Sequence, residues 1–172
     1  MQAIKTGTFK SDVDRAIAFY YLIRNSFGSS VFSGWAFGPG RPPKYCSGIE
    51  MLDDARARLR SVYIDNLSFE KVIGNWDRKE TLFYCDPPYY MLLGLKGRGY
   101  YQCAFTAEDH KRLRDILKGI CGKVILSYDD HPEIRKLYKR FNVRSAGTVN
   151  YTINHRSGVP SRHRPEVIIT NF

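Results

Sequence analysis

Asp86, Pro87, Pro88 and Tyr89 stand directly behind the run Thr81-Leu82-Phe83-Tyr84-Cys85. That run is short, apolar and aromatic, the pattern of a buried strand, and the two prolines stop it. A carboxylate is thus left at the carboxyl end of a strand, where open α/β sheets hold their ligands. Proline has no amide hydrogen and keeps its neighbour extended, so carbonyls in such a turn can face outward as acceptors. Tyr89 adds a flat ring beside them. An acid, an outward carbonyl and an aromatic plate suit the amino group of a planar heterocycle. On these four residues alone, a plain turn closing a strand fits equally well.

The elements that must position this turn belong to a chain of 172 residues, enough for one domain with a real core. Apolar content of 43% and charged content of 26% are those of an ordinary globular protein. The net charge of +10 is not ordinary, and with 12 Tyr and 10 Phe it points to a polyanion with stackable parts. Nucleic acid fits that description better than an acidic lipid surface. No apolar run reaches the ~20 residues that span a membrane, and the start does not read as a signal peptide. Cys46, Cys85, Cys103 and Cys121 lack metal-ligand spacing, so no metal site is expected. Cys85 and Cys121 read as small core fillers of a cytoplasmic protein.

In chain order, Ser11 caps a helix expected over 12–25, with Asp12 and Asp14 in its first turn and Val13, Ile17 and Arg24 at helical spacing. Residues 26–47 hold Gly, Pro and aromatics, a long structured loop. A second helix is expected over 48–60, capped by Ser47, with Ile49, Leu52 and Leu59 on one face. Residues 61–65 alternate like a short strand, and Phe69, Val72 and Ile73 form a brief helical turn. After the strand of 81–85 comes a Gly-rich basic loop over 91–101, then a helix opened by Thr106 and Asp109, with Leu113, Ile116, Leu117 and Ile120 as its buried face. A buried parallel strand follows at 124–128, a helix from His131 and Pro132, a strand over 141–153, a basic loop over 154–165 and a last strand over 166–172. This order implies an α/β sheet of parallel strands closed by an antiparallel edge pair.

Several of these segments agree, in order and spacing, with one family. From about Arg15 onward the chain resembles the D12 class of DNA adenine-N6 methyltransferases. The most specific part is 62–89, with Asn66-Leu67-Ser68-Phe69, Trp76-Asp77 and the Asp-Pro-Pro-Tyr turn. Phe105-Thr106, Asp109-His110, 124–128 and 166–171 are similar to later family elements, and 19–28 to the start of the target-recognition region. The resemblance implies a partial Rossmann-like methyltransferase sheet over 61–172 and a helical and loop target-recognition region over 1–60. It implies that Asp86, Pro87, Pro88 and Tyr89 are catalytic. Asp86 and the Pro87 carbonyl would hold the two hydrogens of adenine N6, and Tyr89 would stack on a base extruded from the duplex. The cofactor implied is S-adenosylmethionine, contacted by Phe69 and Asp86, with Ser68 standing where the family has Asp. The partner implied is double-stranded DNA, met by Arg24, Asn25, Arg41 and Lys44.

The family's Lys-Trp-x-Gly-Gly-Lys element and its Phe-x-Gly-Gly turn do not precede Arg15. Phe37-Gly38-Pro39-Gly40 is no substitute, because no apolar strand feeds it. In the family's sheet the Asp-Pro-Pro-Tyr strand pairs with the first strand, and 62–65 with the second. Without them the edge of 81–86 is exposed, and the chain is expected to self-associate, to need a complementary front fragment or to have rearranged locally. Alternative readings are a non-catalytic DNA-binding remnant, one half of a split methyltransferase, or a basic RNA-binding module in which the turn is only a turn.

Overall fold

The structure, a computed structural model, describes residues 9–27, 34–36, 38–40, 45–90, 105–150 and 163–172. It divides into two compact units, Met1–Ile64 and Asp65–Phe172.

In the first unit, helix α1 spans Asp12–Asn25, and the Ser11 side chain accepts from the Asp14 amide at 3.1 Å. Asp12 and Asp14 sit at the positive end of the helix dipole and Arg24 at the negative end. Leu22 and Asn25 are buried, whereas Val13 and Ile17 at the other end of the helix are exposed. Past α1 the chain closes on itself. Ser26 pairs with Trp35, Phe27 N–H donates to the Gly34 carbonyl, and Trp35 meets Tyr21 edge-on at 6.0 Å. The single helix expected over 48–60 is two, α2 (Tyr45–Glu50) and α3 (Leu52–Leu59), divided at Met51. Gly48 of α2 is buried where an added Cβ would meet the Tyr20 hydroxyl and the Arg24 guanidinium, so glycine sets how closely α2 and α1 approach. Ile49, Leu52 and Leu59, expected on a buried face, are exposed.

The expected strand at 61–65 does not form: 62–68 carry no regular structure, and Val62, Tyr63 and Ile64 are exposed. Alternating apolar residues make a strand only when another strand satisfies their backbone groups. The brief turn at 69–73 extends to a full helix, α4 (Phe69–Trp76), which Ser68 caps by accepting from Lys71 N–H at 3.5 Å.

The second unit is built on a four-stranded sheet of order β1-β2-β4-β3, where β1 is Leu82–Cys85, β2 Lys123–Asp129, β3 Asn142–Asn150 and β4 His163–Thr170. β1 and β2 are parallel, and β4 runs antiparallel between β2 and β3. The α/β class and the mixed sheet therefore follow the expectation, although the last strand starts earlier than expected, at His163. Helix α5 (Ala107–Gly119) makes the crossover between the parallel strands and opens with a complete capping box between Thr106 and Asp109. Helix α6 (Pro132–Leu137) links β2 to β3.

Phe83, Val124, Leu126, Tyr128, Val167 and Ile169 from the strands join Ile73, Leu113, Leu117 and Ile134 from the helices, and Tyr138 just past α6, in one buried core. Each such apolar side chain contributes about 1.5–3 kcal/mol by leaving water. Alternate positions of β1 point the other way, and Leu82 and Tyr84 are exposed. Cys121, expected in the core, is also exposed.

The turns ahead of β1 and β2 are joined by Asp77, which accepts from the amides of Cys121 and Gly122, each at 2.9 Å. A Cβ at Gly122 would lie 2.8 Å from the Thr81 carbonyl and 2.9 Å from the Arg78 carbonyl, so only glycine fits this crossing. The loop expected at 91–101 lies outside the described residues, as does the 154–162 part of the loop expected over 154–165, whose last three residues belong to β4.

Candidate active site

β1 delivers Asp86 to the carboxyl end of the parallel pair, as the Pro-Pro stop requires. The Asp86 side chain is exposed, and one of its oxygens, Oδ1, accepts from the Ser127 hydroxyl at 3.0 Å. Among the described residues nothing donates to the other oxygen. Pro87 and Pro88 are half-buried behind it.

Tyr89 is half-buried, its ring 6.3 Å from that of Tyr128 and its hydroxyl donating to Glu166 Oε1 at 3.0 Å. The backbone N–H of Tyr90 donates to Asp129 Oδ1 at 2.9 Å. Asp129, the last residue of β2, and Glu166, its partner in β4, are two buried carboxylates that anchor the turn. Periodicity does not reveal this anchoring, because it depends on a register set by three strands. The only sequence signal is a pair of acids where buried strands end.

Below the turn lies a cavity of about 290 Å³, walled by Phe69 and Val72 of α4, Pro87, Pro88, Phe105 and Leu113. Among the described residues, Asp86 is the only charged one on its wall. The rings of Phe69 and Phe105 stand 5.9 Å apart at 57°. That volume is at the lower end of the roughly 300–1,000 Å³ of small-molecule sites, enough for a ring system. The Cys85 thiol beside it is pushed up to about 11 by burial, so it stays protonated and inert near neutrality.

Behind the turn, His110 is buried with Nδ1 2.6 Å from the Tyr128 hydroxyl. Burial lowers its pKa, against a smaller upward pull from Asp129 and Asp109. Tyr128 and Tyr138 are pushed upward, chiefly by burial, and stay neutral. His110 and these tyrosines form a packed polar wall rather than a titrating site near neutral pH.

The structure therefore brings Asp86, Pro87, Pro88 and Phe69 to one cavity, with Tyr89 next to it. The residues expected to meet nucleic acid are in the first unit. Arg24 is half-buried against Gly48, and Asn25 is 2% exposed with its amide donating to the Tyr21 carbonyl at 2.8 Å. Arg41 and Lys44 lie outside the described residues. Among the described residues there is no cluster of metal ligands, and no helix is long and apolar enough to cross a membrane.

The sequence profile of the D12 class N6 adenine-specific DNA methyltransferase family matches residues 11–151. A search of curated proteins found no match to the chain.

Proposed function

The chain belongs to the D12 class of N6 adenine-specific DNA methyltransferases, and from that premise we propose that it transfers a methyl group from S-adenosylmethionine to N6 of an adenine turned out of double-stranded DNA. The observation that carries the reading is the exposed Asp86, with one oxygen engaged and the other open, at the mouth of an apolar cavity.

The amine of adenine is a poor nucleophile because its lone pair is delocalised into the ring. Asp86 and the Pro87 carbonyl, accepting its two hydrogens, draw the nitrogen toward tetrahedral geometry and stabilise the positive charge that develops there. The turn works by electrostatics and orientation, with the Asp86 carboxylate and the Pro87 carbonyl as the two acceptors. Tyr89 supplies the face on which the extruded base stacks.

The cavity fits the heterocyclic end of S-adenosylmethionine, which Phe69 and Phe105 would flank. When bound, the cofactor supplies an electrophilic methyl on sulfur. Among the described residues of the wall none carries a charge suited to its carboxylate end, so these residues fit the cofactor in part. Arg24, Arg41 and Lys44 are assigned to phosphates, and Asn25 reaches a base only if it leaves its bond to Tyr21.

One observation favours a second reading. Among the described residues β1 is an edge strand, with Leu82 56% and Tyr84 69% exposed. Such an edge pairs readily with another chain, which fits a protein completed by a second copy or a complementary fragment. Sedimentation of the chain with Tyr84→Lys in the edge tests this: association lost in the variant supports it, and a wild-type monomer that is fully active removes it.

The primary reading is tested by incubating unmethylated DNA with the chain and tritiated S-adenosylmethionine, then digesting the DNA to nucleosides. Label in N6-methyldeoxyadenosine is the expected result, and label confined to cytosine would overturn it. DNA binding with no label, and no cofactor binding in calorimetry, would make the chain a DNA-binding remnant.

A further inference from the structure

Ser127 lies on β2 one residue beyond the last β1–β2 pair, Cys85 with Leu126, and so comes level with Asp86. It is 5% exposed. A hydroxyl so placed finds its acceptor in the protein rather than in water. Its oxygen lies 3.0 Å from Asp86 Oδ1 and 3.4 Å from the Cys85 carbonyl, so its single hydrogen goes to the carboxylate.

An exposed aspartate left to itself swings about its terminal torsion, which has only broad minima. A buried donor on a central strand removes that freedom and chooses which oxygen faces outward. Asp129 and Glu166 do the same for the next residues, one holding the Tyr90 amide and the other the Tyr89 hydroxyl. Of the three, Ser127 alone touches the carboxylate that is to meet the amine.

We propose that Ser127 is a positioning residue for methyl transfer, holding one oxygen of Asp86 so that the other is presented to the amino group of the extruded base. The assignment rests on the reading of Asp86 given above. Ser127 does not itself touch substrate. Its contribution is to keep Asp86 in the productive geometry, so its loss appears in turnover rather than in DNA affinity.

The test compares wild type, Ser127→Ala, Ser127→Thr and Asp86→Ala in tritiated methyl transfer to unmethylated DNA, with thermal midpoints as a check on folding. Ser127→Ala is expected to lower kcat by roughly tenfold, with KM for DNA within about twofold of wild type. Ser127→Thr, which keeps the hydroxyl, is expected to recover most of that loss. A Ser127→Ala protein that turns over like wild type while Asp86→Ala is inactive would overturn this assignment alone. So would a loss confined to KM, or a folded Ser127→Thr protein as slow as Ser127→Ala. No transfer by any of the four proteins, wild type included, would overturn both the assignment and the reading beneath it.

Discussion

Tyr89 has two tasks that single substitutions separate. Its hydroxyl bonds to Glu166, and its ring is the proposed stacking surface. Tyr89→Phe is expected to cost about 1.5–3 kcal/mol in urea unfolding, the worth of a hydrogen bond to a charged acceptor, while leaving transfer within a few-fold of wild type. Tyr89→Ala removes the stacking surface, worth about 1–3 kcal/mol per base, and is expected to lower transfer by roughly tenfold or more. Equal loss of transfer in both variants would show that the hydroxyl, not the ring, is what matters. The place of this turn at the end of a strand was legible in the sequence, because an apolar run stopped by two prolines is a local signal. Ser127, Asp129 and Glu166 were not, because nothing in local sequence says which strand ends meet. Asn25 shows the converse limit. A polar residue at the last position of a helix reads as available, yet here its amide is turned back onto Tyr21.

At the scale of elements, two of the caps were readable and the pairings were not; Ser47, expected to cap the second helix, lies inside α2. Ser11 and the Thr106–Asp109 box act within a few residues of themselves, and both appear as the sequence implies. The break at Met51 and the failure of 61–65 to become a strand depend on partners elsewhere in the chain. So does the placing of β4 between β2 and β3. Asp77 links two such elements, and the amides of Cys121 and Gly122 hold its carboxyl below the usual 3.8. Asp109 is lowered likewise, first by the Thr106 hydroxyl and then by the Thr106 amide. A carboxyl whose pKa is depressed by folding contributes stability that is present above its unfolded value and is lost as pH falls through the folded one. The thermal midpoint is therefore expected to be level above about pH 5 and to drop below about pH 4. Asp77→Asn should lower the midpoint at neutral pH and make the acid-side drop shallower. An acid limb as steep as that of wild type would exclude Asp77 as a contributor.

For the whole molecule, the net charge of +10 makes binding to DNA chiefly a phosphate interaction, which releases counterions. Affinity for duplex DNA is expected to fall by at least roughly tenfold between about 50 and 200 mM salt. Binding that ignores salt would point away from the basic surface as the source of affinity. The chemistry proposed depends on something narrower, the grip of one exposed carboxylate on an exocyclic amine. The most direct measurement is the rate of tritiated methyl transfer to unmethylated DNA by Asp86→Ala set against the wild-type chain, with DNA affinity measured for both. Transfer reduced to background with DNA affinity unchanged is the predicted result. An Asp86→Ala protein that methylates DNA at the wild-type rate would contradict it.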